Sequence, residues 1–126
     1  MSFKARYKTK IKDVNREFLK ESVSMMVKEL ELQLWKNTEF NIWNGRKIPV
    51  SGICFKDHNA MYPVDLRINE KNELEIQCDS SDRSVYEKYM KRVQEQFYPG
   101  VVISHKTRTP VKYDKETEKL TLMITR

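Results

Sequence analysis

The sequence predicts an α+β fold, a mainly antiparallel sheet covered on one face by two helices, forming a two-layer sandwich over residues 1–126. Three observations carry this expectation. Cationic and non-cationic residues alternate along residues 3–12, apolar residues recur at helical spacing in two longer segments, and the rest of the apolar set alternates in short runs separated by turn signals. A chain of 126 residues buries about two-thirds of its unfolded surface. It therefore needs neither disulfides nor a metal to hold a core, and a single domain is expected.

The first strand is the most distinctive stretch. Lys4, Arg6, Lys8, Lys10 and Lys12 occupy the even positions, and Phe3, Ala5, Tyr7, Thr9 and Ile11 the odd ones. In an extended chain this gives one core side and one positive side, with successive charges about 6.6 Å apart. Two readings follow. Lysines protect a sheet edge against pairing with other chains. The same spacing can also follow a polyanion, because phosphate contacts are made chiefly by Lys and Arg.

Asp13 can cap the helix that follows. Val14, Phe18, Leu19, Val23, Met26, Val27, Leu30 and Leu34 keep helical spacing, which predicts a helix over residues 14–35, roughly 33 Å long. Asn44-Gly45 between Phe40/Ile42 and Ile48/Val50 marks a hairpin with a type I′ turn. Pro49 confines its segment to an edge. Residues 51–56 read as a strand. Val64, Leu66 and Ile68 then pair as a second hairpin with Leu74, Ile76 and Cys78, across Glu70-Lys71-Asn72. Asp79-Ser80-Ser81-Asp82 offers caps for a second helix, whose stripe is Tyr86, Tyr89, Met90, Val93 and Phe97 and whose end is expected at Pro99-Gly100. Residues 101–103 fit a short strand or a loop. Thr109, Val111 and Tyr113 face Leu120, Leu122 and Ile124 in a last hairpin.

The opening, Phe3 followed by Lys8-Thr9-Lys10-Ile11-Lys12-Asp13, resembles that of the hypothetical chloroplast reading frame thirty-five family, small proteins of cyanobacteria and plastids with wider bacterial relatives. Residues 74–79 are similar to a family strand that ends in Asp. Val93-Gln94-Glu95-Gln96-Phe97-Tyr98 resembles the family's helix-end signature, and residues 120–126 its terminal strand. Two departures accompany these similarities: the predicted first helix is longer than the family's, and the segment after Pro99 is shorter. The resemblance implies an α+β fold and would place the chain in the plastid stroma, whereas the sequence by itself indicates the cytoplasm. It implies no activity, since the family's function is uncharacterised.

The chain has 24 Lys+Arg against 18 Asp+Glu, a net charge of +6. Residues 1–20 hold seven cations and two anions, so the excess is concentrated at the start. That asymmetry suits an anionic partner and says nothing of the fold. Two cysteines without a framework pattern indicate a reducing compartment, and no apolar run is long enough for a membrane span.

Catalytic signals are sparse. Cys54 and His58 are too far in sequence from Cys78 and His105 to read as a zinc site, so no metal or other cofactor is expected. No serine lies in a nucleophile elbow, and Ser104-His105 is expected in a loop. Asp79 and Asp82 offer one acid-base or hard-metal pair, with helix capping as the plainer explanation. Asp57, His58 and Asp65 could converge across a hairpin, although loop polarity also accounts for them.

Binding surfaces have more support. Lys106, Arg108 and Lys112 add a second basic cluster beside Tyr113. Trp35 and Trp43 would mark an interaction site if exposed, while core packing is the commoner fate. We read the chain as a small non-enzymatic binding or adaptor protein that engages an acidic protein or a nucleic-acid backbone through Lys4, Arg6, Lys8, Lys10 and Lys12, with Lys106, Arg108 and Lys112. The rival readings are a small metal-dependent hydrolase at Asp79 and Asp82, or a phage-type accessory or inhibitor protein. An exposed edge strand could also support a homodimer.

Overall fold

A computed structural model describes residues 4–42, 45–50 and 52–123. For residues 4–8 and 10 only the backbone is described. Phe3, Trp43, Asn44, Ser51 and Ile124, all used in the sequence reading, lie outside the described residues.

The chain runs β1 (Lys4–Lys12), α1 (Arg16–Glu29), β2 (Gln33–Trp35), β3 (Glu39–Asn41), β4 (Lys47–Pro49), β5 (Ile53–Lys56), β6 (Val64–Ile68) and β7 (Glu73–Asp79). A 3₁₀ turn (Ser80–Asp82), α2 (Arg83–Arg92), a π-helical segment (Val93–Phe97) and α3 (Tyr98–Thr107) follow, then β8 (Val111–Asp114) and β9 (Lys119–Leu122). Five strands form one sheet in the order β1-β7-β6-β5-β2. Every neighbouring pair in it is antiparallel. The hairpins β3-β4 and β8-β9 are separate two-stranded sheets. The predicted α+β architecture is thus observed.

Pleating decides what each face carries. Phe55, Val64, Leu66, Leu74, Ile76 and Cys78 point to the helices, where they meet Leu19, Val23 and Met26 of α1 and Tyr86, Met90, Val93 and Phe97 of the second helical stretch. On the opposite face, Phe40, Ile42 and Ile48 of the β3-β4 hairpin pack against Cys54, with Trp35 and Val50 at the margin. Pro49 lies in β4, which among the described residues pairs only with β3, so its missing N–H removes no ladder bond from the main sheet. Gly52 permits the close approach of the chain before β5 to β6: a Cβ there would stand 1.9 Å from the Leu66 carbonyl oxygen.

Three sequence expectations need correction. The first helix does not span residues 14–35. It is capped by Asn15, whose side chain accepts from the Phe18 N–H, and it ends at Glu29. Asp13 takes a left-handed φ of 52°, so it turns the chain and leaves capping to Asn15. Glu31, with φ 57°, reverses the chain into β2. Leu30, Leu32 and Leu34 satisfy a period of two, and that period wins after Glu29.

Second, Pro99-Gly100 does not end the second helix, and residues 101–103 are neither strand nor loop. The helical backbone continues to Thr107. Proline lacks an N–H and its ring crowds the carbonyl four residues back, which would break a regular α-helix. Here the turn before it widens: the Tyr98 N–H bonds to the Val93 carbonyl, five residues back. The π segment accommodates Pro99 where an α-turn would not. The true end is Arg108, left-handed at φ 56°, with its N–H on the Ser104 carbonyl.

Third, Ser104 and His105 lie on α3. The His105 ring stacks on Phe18 with centroids 4.4 Å apart, and its Nε2 is 2.6 Å from Glu21 Oε2. Both of these His105 contacts join α3 to α1. Among the described residues, no helix is long and apolar enough to cross a membrane.

Candidate binding surface

β1 is the outermost strand of the five-stranded sheet, paired on one side with β7. Its register sets Lys4 opposite Asp79, Arg6 opposite Gln77, Lys8 opposite Glu75 and Lys12 opposite Glu73. Three of the five cationic positions thus stand across from a carboxylate. Between Lys8 and Lys12 the register shifts, and Lys10 falls within that irregular stretch. The Thr9 hydroxyl donates to the Leu74 carbonyl, and the Ile11 N–H returns to Thr9 Oγ1, so a side chain replaces part of the ladder. Lys12 is exposed. The side chains of Lys4, Arg6, Lys8 and Lys10 lie outside the described ones.

The second basic cluster belongs to another part of the fold. Lys106 and Arg108 are exposed at the end of α3, where cations complement the negative end of a helix. Lys112 is exposed on β8, and its charge helps hold the Asp114 carboxyl below the usual range, behind the larger effect of the Glu116 N–H that Asp114 accepts. Trp35 is half-buried and donates to the Glu39 carbonyl at 3.1 Å, consistent with packing under the β3-β4 hairpin.

Below β1's partner strand, on the face opposite the helices, Asp65 is fully buried. It accepts from the Gly52 N–H at 3.2 Å and from Gln77 Nε2 at 2.5 Å. Asp57 is instead on the helix side, where Tyr89 donates its hydroxyl to Oδ1 at 2.8 Å. The His58 ring meets the Glu31 carbonyl. The structure therefore gives Asp57, His58 and Asp65 separate partners; loop polarity accounts for Asp57 and His58, whereas Asp65 is buried within β6.

Asp79 and Asp82 have structural partners too. Asp79 accepts from both the backbone N–H and the hydroxyl of Ser81, capping the 3₁₀ turn. Asp82 is almost fully buried, and its two oxygens take the N–H groups of Met61 and Tyr62 at 3.0 and 2.9 Å. It ties the loop before β6 to the start of α2. This role has no local sequence signal, because the two partners are 21 and 20 residues away.

The thiols are ill-suited to nucleophilic work. Burial, seconded by the Asp82 and Asp79 charges, pushes Cys78 up to about 12, and burial with the Asp65 charge raises Cys54 as well. Burial likewise raises Tyr86 and pushes Tyr89 up to about 12. Among the described residues, no group of three or more His, Cys, Asp or Glu could hold a metal ion. No family model, no curated protein and no solved structure matches this chain.

Proposed function

We propose that this protein is a non-enzymatic binding module whose edge strand β1 receives a polyanionic partner, either an acidic protein segment or a nucleic-acid backbone. The observation that carries this reading is the position of β1. The strand that concentrates the cations of the sequence is also the outermost strand of the main sheet, with no strand on its other side among the described residues. An edge strand can hydrogen-bond an extended partner, and its charges select for an acidic one.

The carboxylates opposite Lys4, Lys8 and Lys12 temper the local potential, whereas Arg6 and Lys10 have no carboxylate opposite in the register. These two positions are accordingly the ones whose neutralisation leaves no directly opposed carboxylate in the register without its cation. Lys106, Arg108 and Lys112 are assigned a minor share, since helix-end and turn electrostatics already account for them. The resemblance to the chloroplast reading frame family enters here as a proposal. Two free, buried cysteines support a reducing compartment, cytoplasmic or stromal.

Fluorescence anisotropy with labelled single- and double-stranded oligonucleotides and an acidic peptide, across a salt series, tests the reading. Engagement of all five β1 cations on single-stranded nucleic acid predicts a log–log salt slope of about −3.5. Binding to the peptide alone selects the protein partner. Absence of binding to any of these at low salt overturns the proposal.

A further inference from the structure

We propose that the occupant of the open edge of β1 is a peptide strand in which acidic and apolar residues alternate, and that it extends the main sheet by pairing with Lys4–Lys8. This rests on the reading of β1 as an edge for a polyanion and narrows it to one kind of partner. The chain already holds the template. β7 meets β1 in five consecutive pairs: Lys4 with Asp79, Ala5 with Cys78, Arg6 with Gln77, Tyr7 with Ile76 and Lys8 with Glu75. Ile76 and Cys78 belong to the core beneath the helices, and the polar residues of β7 alternate with them. Directly opposite residues of neighbouring strands share a face. A strand on the other side of β1 therefore meets the same alternation, with acids called for across from Lys4, Arg6 and Lys8 and apolar residues across from Ala5 and Tyr7. Its central acid gives Arg6 the carboxylate that the β7 register does not. Beyond Lys8 the register shifts and the Thr9 hydroxyl bonds to the Leu74 carbonyl, so the regular template is about 16 Å long.

Two other occupants match this edge less well. An edge strand presents N–H donors and C=O acceptors in a row. Phosphodiester oxygens accept but do not donate, so a nucleic-acid backbone leaves the carbonyls of the edge unmet, whereas an added strand meets both. A second copy of β1 fails on charge. Paired in phase, it sets cations across from cations, which is destabilising. A slip of one residue removes that conflict but moves the cations of one copy onto the apolar face of the other. An alternating acidic strand has neither fault. Its pattern also reads the same in both directions, so parallel and antiparallel addition both satisfy it.

The test titrates the full chain into four labelled probes at low salt, followed by fluorescence anisotropy. The first is the end-capped peptide Gly-Glu-Val-Glu-Val-Glu-Gly, and the second has the same composition with its acids contiguous. The third is the first peptide with every backbone N–H between the caps methylated, and the fourth is an oligothymidylate. The alternating peptide is expected to bind at least about tenfold more tightly than the contiguous one. Methylation is expected to weaken it by at least about tenfold, since each strand hydrogen bond lost weakens binding several-fold. Equal binding of the three peptides would overturn the proposal in favour of charge alone. Binding of the oligothymidylate without the alternating peptide would also overturn it, while leaving β1 as an edge for a polyanion. Binding of none of the probes would overturn both readings.

Discussion

Asp82 holds two backbone N–H groups of a loop on one carboxylate, and this is a structural rather than a chemical use of a buried acid. Asp82→Ala leaves both donors without their acceptor in a partly buried setting. A loss of about 1–3 kcal/mol in unfolding free energy is expected, read from urea titration. A hydrolytic or metal-binding aspartate in a rigid frame would leave stability unchanged when removed. Cys78 and Tyr89 give a second prediction at this scale. Cys78 is pushed from 9.0 to about 12, and Tyr89 from 10.0 to about 12. Above pH 9 the unfolded chain sheds these protons while the folded chain keeps them. The unfolded state then binds fewer protons, so stability falls with rising pH. Unfolding midpoints are expected to be level below about pH 8.5 with respect to these groups and to decline between pH 9 and 12. Cys78→Ala should flatten part of that decline.

At the scale of elements, the alternating strands and the hairpins were readable because their signals are local. Val64, Leu66 and Ile68 against Leu74, Ile76 and Cys78 carry both the period and the turn. The helices were readable in kind but misjudged in length, because their ends depend on distant packing. Leu30 and Leu34 fit both the helical period and a period of two, Leu32 only the latter, and the pairing of β2 with β5 selects the strand. Pro99 fits a helix end, yet the π turn before it and the hairpin packed beside it carry the helix onward. Phe97 belongs to that join: fully buried, it stacks on Tyr113 of β8 with centroids 5.6 Å apart. Arg92 Nη2 reaches the Tyr113 hydroxyl at 2.5 Å. Phe97→Ala is expected to cost about 3–5 kcal/mol and to raise amide exchange in β8 and β9 along with the helix. Protection retained in the hairpin would show that it docks independently of Phe97.

For the whole molecule, charge and topology coincide. The cationic alternation at the start of the chain was legible, as was the edge character of a lysine-rich strand. The register was not, because pairing between β1 and β7 joins segments more than 60 residues apart. That register matters for the design of any test. Reversal of Lys4 and Lys8 to Glu would set like charges opposite Asp79 and Glu75 and weaken the sheet itself. Neutralisation avoids that repulsion. The most direct measurement is therefore an anisotropy titration of the polyanion with the chain and with its Arg6→Gln/Lys10→Gln variant, at low salt and with matched far-UV circular dichroism. The account predicts a loss of affinity of at least about tenfold with an unchanged spectrum. Undiminished affinity in a folded variant would contradict it and leave β1 as a guarded sheet edge.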